Sequence, residues 1–283
     1  MNRLFKNKKI LLSLIVLLGL SGCMAQDVII SVSTPFSAMW TGGNSWFEAL
    51  FVYPLAQILN WLTPYVTVTV AIVLVTLGVK LLTFGLTVKS TIASQKMQVL
   101  QPEMNRIQAK YAGKADNESK MKQGQEIQAL YAKHNINPLG SIGTMFIQFP
   151  VIIAMYQAVI HSEAVKTSSL FGYALSNSPQ KAFADGQWFV LVIFAFMAVA
   201  QFVSIKLPTW LAKARAQKQP VRLGEKPAKG MNTDMMMYTS IGLIVFLGFT
   251  WPTAMSLYWL VTSLAQIAQT YYIQKAYIEK EAV

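Results

Sequence analysis

Lys80 stands inside an apolar run, Val66–Val88, that contains no acidic residue. As a helix that run reaches across the roughly 30 Å hydrocarbon core of a bilayer. A lysine at its centre costs about 2.5–3.5 kcal/mol on insertion scales, so its presence calls for a reason. Thr69, Thr76, Lys80, Thr83 and Thr87 follow one another at intervals of 7, 4, 3 and 4. Those intervals put all five on one helix face. Lys80 therefore belongs to a polar stripe. No Asp or Glu lies within any apolar segment to pair with it; Glu103 and Asp234 flank such segments. Two readings stand. The stripe lines a wet groove in which Lys80 is a free cation that attracts negative charge, or Lys80 snorkels toward a membrane surface.

Other apolar segments carry polar residues at helical intervals. One holds Ser141, Thr144 and Gln148, another Gln201 and Ser204, and the last Tyr258, Thr262, Gln266 and Gln269. Such residues either turn toward a wet interior or hydrogen-bond between helices, the latter at about 0.6 kcal/mol per contact. No nucleophile–base pair, metal-ligand cluster or glycine-rich phosphate loop is visible. An enzyme is not expected, nor is a metal or a cofactor. His134 and His161 lack a second ligand at helical spacing and read as solvated residues near helix ends. No internal repeat stands out, which weighs against a transporter.

These residues need elements to hold them. The chain has 283 residues, 54% hydrophobic and 13% charged, with mean hydropathy +0.40 and net charge +12. A soluble domain carries about 25% charged residues, so this is the composition of an all-α integral membrane protein. Five transmembrane helices are predicted at 66–88, 138–160, 188–206, 235–249 and 253–273. Ahead of them, 23–65 reads as an extracytoplasmic N-terminus. Its Trp46–Leu62 stretch forms an interfacial amphipathic helix or, alternatively, a short sixth span.

Basic residues set the orientation. Lys89, Lys96, Arg106, Lys110, Lys114, Lys120, Lys122 and Lys133 separate the first two spans. Lys206, Lys213, Arg215, Lys218, Arg222, Lys226 and Lys229 separate the third from the fourth. The segment 161–187 holds only Lys166 and Lys181, and the turn after residue 249 holds none. The positive-inside rule places 89–137 and 207–234 in the cytoplasm, 161–187 outside, and the short tail 274–283 inside. This accounts for the basic charge without sequence-specific nucleic-acid binding.

At the N-terminus, Arg3, Lys6, Lys8 and Lys9 precede an apolar stretch and then Leu20-Ser21-Gly22-Cys23. This reads as a lipoprotein signal peptide over 1–22, with lipidation at Cys23 on the outer face of a bacterial plasma membrane. The alternative is an ordinary signal peptide with a chance cysteine. Cys23 is the single cysteine, so no internal disulfide can form.

Within 89–137, Met97, Leu100, Met104, Ile107 and Tyr111 make one amphipathic stripe. Gly113–Asn117 is a polar turn. A second helix over about Glu118–His134 offers Met121, Ile127, Leu130 and Tyr131. Together they predict a cytoplasmic helical hairpin, either a linker or a mobile paddle that meets a partner.

Several short motifs carry a resemblance. Lys96-Met97-Gln98-Val99-Leu100-Gln101-Pro102-Glu103, Asn137-Pro138-Leu139-Gly140, Ile147-Gln148-Phe149-Pro150 and Trp251-Pro252 with Leu257-Tyr258-Trp259 stand in this order. Along residues 46–275 the chain resembles the YidC/Oxa/Alb membrane-protein insertases, and its lipobox resembles the Gram-positive branch, where the acyl group is palmitate. The resemblance implies five spans around a hydrophilic groove that lets substrate spans slide into lipid without a cofactor. It implies Lys80 as the groove cation, where the family usually has arginine, with Thr76 beside it and Trp259 next to Tyr258. Thr83, Gln148 and Gln201 complete the expected groove lining. Expected substrates are nascent membrane proteins, small one- or two-span chains such as ATP synthase membrane subunits. The Sec translocon, the signal recognition particle pathway, the ribosome and membrane lipid are the implied partners. From the residues alone, a small channel or a lipid-anchored scaffold remain the competing classes.

Overall fold

A computed structural model describes residues 28–41, 46–114, 116–216 and 233–279. The signal peptide, Cys23, most of the basic segment 207–234 and the last four residues lie outside them. The described chain is mostly helical. Helix α1 spans Phe36–Thr41, a π-helical turn Glu48–Val52 leads into α2 (Tyr53–Leu62), and α3 runs over Val68–Val99. Then come α4 (Gln101–Lys110), α5 (Asn117–Lys133), α6 (Pro138–His161) and α7 (Glu163–Thr167). The hairpin β1 (Ser169–Leu170) and β2 (Tyr173–Ala174) is followed by α8 (Pro179–Ala184), α9 (Trp188–Ala216), α10 (Thr233–Thr250) and α11 (Thr253–Ile273). A π-helical turn, Gln274–Ile278, closes the described chain.

Two of these helices, Val68–Val99 and Trp188–Ala214, are long and apolar enough to cross a membrane on length and composition. Both overrun the apolar segments read from the sequence. At 32 residues α3 is about 48 Å long, well beyond a bilayer core. Its apolar run ends at Val88, but Lys89–Gln95 contains no Pro or Gly, so nothing stops the helix there. It ends at Val99, just before Leu100 and the helix-breaking Pro102. Likewise α9 continues past residue 206 through Pro208 to Ala216. Lys206, which looked like a loop charge, is a buried helical residue whose Nζ lies 4.2 Å from the Tyr238 ring centroid.

The chain divides into two compact units whose limits fall inside helices. The first comprises Met1–Thr76, Gln148–Phe194 and Gly248–Tyr258. Its centre is a polar knot. Asn60 is buried; its Nδ2 donates to the Ile30 carbonyl at 2.6 Å, and its Oδ1 accepts from Ser162 Oγ at 2.7 Å and Ala164 N at 3.0 Å. Ile30 also exchanges backbone bonds with His161 O and Glu163 N. His161 is therefore no solvated helix end: it is buried, with Nδ1 2.7 Å from the Val28 carbonyl. The first free N–H groups of α11 are met by loop carbonyls, Thr253 N by Asn177 and Ala254 N by Leu175.

The second unit comprises Leu77–Ile147, Ala195–Leu247 and Trp259–Val283. Within it α4 and α5 pack antiparallel on Leu100, Leu130, Tyr131 and Ile136, flanked by Met97, Met104, Ile107 and Ile127. Met121, expected on that stripe, is exposed instead. Asp116 caps α5 by accepting from Ser119 N at 2.7 Å. The far end closes with a Schellman motif: Asn135 takes positive φ, Asn135 N donates to Ala132 O, and Ile136 N donates to Tyr131 O. That turn folds Ile136 back onto Tyr131 in the cluster. His134 is the exposed C-cap residue.

Candidate functional site

Helix α3 holds the polar stripe. Its threonines satisfy themselves locally. Thr76 is fully buried and its Oγ1 donates to Ile72 O at 2.6 Å. Thr83 Oγ1 donates to Val79 O at 2.8 Å, and Thr87 Oγ1 to Thr83 O at 3.0 Å. Each hydroxyl thus spends its one proton on a carbonyl a turn back, as threonines in apolar helices do. Lys80 is half-buried on the same stripe and has no salt-bridge partner among the described residues. After the hydroxyls have bonded inward, its ammonium carries the stripe's unspent donors.

The remaining expected residues sit as follows. In the first unit the half-buried Gln148 donates from Nε2 to Tyr258 Oη at 3.3 Å, and Tyr258 is almost wholly buried. In the second, Gln201 Oε1 accepts from Ser263 Oγ at 2.6 Å, while Trp259 is buried. Thus Gln148 and Gln201 are half-buried and each bonded to a neighbouring helix, while Tyr258 and Trp259 are buried.

Sequence reasoning named Thr87 and Gln269 but missed the polar seam that they begin further along the stripe. Gln269 Nε2 donates to Thr87 Oγ1 at 3.4 Å, Gln95 Nε2 to Thr270 O at 3.3 Å, and Thr209 Oγ1 to Gln98 Oε1 at 3.4 Å. Gln95 Oε1 and Thr270 Oγ1 are buried without a partner. The signal was present: Thr87, Thr91, Gln95 and Gln98 extend the stripe of α3 at intervals of 4, 4 and 3. No group of three metal-ligating side chains occurs among the described residues.

The family described as 60Kd inner membrane protein matches residues 60–281. The membrane protein insertase MisCA of Bacillus subtilis (strain 168) is 30% identical over 274 residues, covering 96% of this chain and 92% of that protein. Membrane protein insertase YidC 1 of Streptococcus pyogenes serotype M3 is 33% identical over 218 residues, covering 77% and 70%. Among solved structures, an active YidC insertase with its first transmembrane domain resolved is similar at TM-score 0.52 and 24% identity, covering 82% of this chain and 48% of that one. This chain spans just under half of that solved protein, and the likeness bears on the fold.

Proposed function

The chain belongs to the family of the 60Kd inner membrane protein, and from that premise we propose that it is a non-enzymatic membrane-protein insertase and foldase. It receives nascent membrane proteins, small one- and two-span chains above all, and passes their apolar segments into lipid. It resides in a bacterial plasma membrane with α3, α6, α9, α10 and α11 as its spans. The basic segments and the C-terminus face the cytoplasm, and Cys23 carries a lipid on the outer face. It acts alone or beside the Sec translocon, and the hairpin α4–α5 receives substrates delivered by the signal recognition particle pathway or the ribosome.

The observation that carries the reading is Lys80. A half-buried ammonium without a described carboxylate partner, on a helix whose neighbouring hydroxyls bond inward, is poised to attract an anionic segment from elsewhere. At 4 Å and an effective dielectric of 20, one ion pair is worth about 4 kcal/mol before desolvation is subtracted. The net is smaller, which lets the substrate leave. Apolar residues of the arriving span meanwhile face the lipid and release it laterally. No step makes or breaks a covalent bond, so no cofactor is required.

Purified protein reconstituted into liposomes, challenged with a small single-span substrate and read by protease protection, tests the function. Insertion above that of empty liposomes is expected. Ion flux through the proteoliposomes with no insertion would replace the insertase by a channel.

A further inference from the structure

The hairpin between α7 and α8 has an unusual tip. Ser169 pairs with Ala174 and Leu170 with Tyr173, so Phe171-Gly172 is a two-residue turn. Both residues have positive φ, 51° and 84°. Two-residue turns of that hand favour Asn-Gly or Asp-Gly. Glycine fits its place. A phenylalanine does not, because bulky side chains rarely adopt the left-handed region. Nor does burial account for it: Phe171 is 83% exposed, and its ring touches Phe189 edge-on at 5.5 Å.

The surroundings are apolar and exposed too. Phe183 on α8 is exposed, and Trp188, which opens α9, is 69% exposed. Along α9, Trp188, Val192, Phe196 and Val199 are all exposed at intervals of 4, 4 and 3. They form one outward apolar face. Phe171 therefore meets α9 at Phe189, beside the first residue of that face. The tip continues a surface that water would not favour but lipid would, and aromatic rings suit the level where chain and headgroup meet.

We propose that the Phe171-Gly172 tip is a lipid-contacting finger, seated in the interface of the outer leaflet beside the N-terminal end of α9. The inference rests on the membrane placement proposed above. The left-handed backbone of Phe171 keeps its local steric cost, and transfer of the ring into lipid offsets it. The finger and Trp188 would together fix how deep the N-terminal end of α9 lies.

Spin labels at single cysteines test this in full-length protein in vesicles of phosphatidylglycerol and phosphatidylethanolamine, in a Cys23→Ser background. Labels go at Phe171→Cys, at Val192→Cys on the outward face of α9, and at Ser176→Cys in the same loop. Collisions with oxygen and with a water-soluble nickel chelate report depth. At 171 oxygen should prevail severalfold, as at 192, whereas at 176 the chelate should prevail. A label at 171 as open to the chelate as that at 176, with 192 in lipid, overturns the finger alone. A label at 171 shielded from both agents means a protein surface covers the tip, which also overturns it. Aqueous behaviour at 192 would sink the membrane placement itself. As a second measurement, Phe171→Asn suits the turn and should leave the melting temperature in detergent unchanged or higher. A fall would mean that Phe171 is kept for its contact with Phe189, against the proposal.

Discussion

The hydroxyl of the buried Ser263 donates to Oε1 of the half-buried Gln201 at 2.6 Å, joining α11 to α9. Gln201 thereby has a structural task before any other. Ser263→Ala removes the donor and strands the amide oxygen, at a cost of about 0.6–1 kcal/mol. Thermal unfolding in detergent should show a small drop, while insertion changes by less than tenfold. A tenfold or larger loss of insertion without a stability change would put Gln201 among the substrate contacts.

Asn60 should matter far more. Asn60→Ala leaves Ile30 O, Ser162 Oγ and Ala164 N without their shared partner. Three hydrogen bonds go at once, at about 1 kcal/mol each: Ile30 O keeps Glu163 N and Ser162 Oγ keeps Val165 N, but Ala164 N loses its partner. The melting temperature should fall, and the amides of Ile30 and Glu163 should exchange faster with solvent. Unchanged exchange there would show that the knot is held by its backbone bonds alone.

The hairpin α4–α5 should be acid-sensitive. Lys110 Nζ lies 2.5 Å from Glu126 Oε1, which also accepts from Tyr111 Oη at 2.7 Å. Hydrogen bonds from Lys110 and then from Tyr111 hold the Glu126 carboxyl below its usual value. The backbone N–H of Ser119 does the same for Asp116. Carboxyls lowered by folding contribute fully above their unfolded values of 4.5 and 3.8, and the contribution is lost as pH falls through the lower folded values. Protection of the hairpin amides, taken relative to their intrinsic exchange rate at each pH, should therefore fall below about pH 4.5, and less so in Glu126→Gln. An equal loss of protection in both proteins would remove Glu126 from the account.

Leu130→Ala tests the hairpin's role. Truncating this buried residue of the Leu100–Tyr131–Ile136 cluster should cost about 2–3 kcal/mol, loosening the hairpin. Fast exchange confined to residues 101–133, with impaired insertion, is the expected pair of results. Loosening with normal insertion would reduce the hairpin to a linker.

Legibility in the sequence followed the range of the interaction. The stripe Met97–Leu100–Met104–Ile107 could be read because helical periodicity is local, and the same residues pack on Leu130 and Tyr131. Hydropathy marked where α3 ceases to be apolar but not where it ends, since a polar helix without breakers simply continues. Asn60 gave no signal: its partners Ser162 and Ile30 are 102 and 30 residues away. The same distance hid the burial of His161. Lys80 was legible because one charge in an apolar run is conspicuous. The inward bonds of Thr76 and Thr83 follow from the habit of threonine in helices, yet the pairings Gln148–Tyr258 and Gln201–Ser263 needed the fold.

The central claim is that the charge of Lys80 captures substrate, and an insertion assay with three matched single-span substrates tests it most directly. The substrates differ only in an acidic, neutral or basic translocated tail, and each variant is checked for folding and expression. Lys80→Arg keeps the charge and should keep activity, although the planar guanidinium presents it differently. Lys80→Gln should lower insertion of the acidic-tailed substrate most, by about tenfold if the net gain is near 1.4 kcal/mol. Lys80→Glu should be worse for that substrate and partly recover with the basic tail. If Lys80→Gln inserts all three tails as well as the parent protein does, the charge serves the fold and the electrostatic account is contradicted.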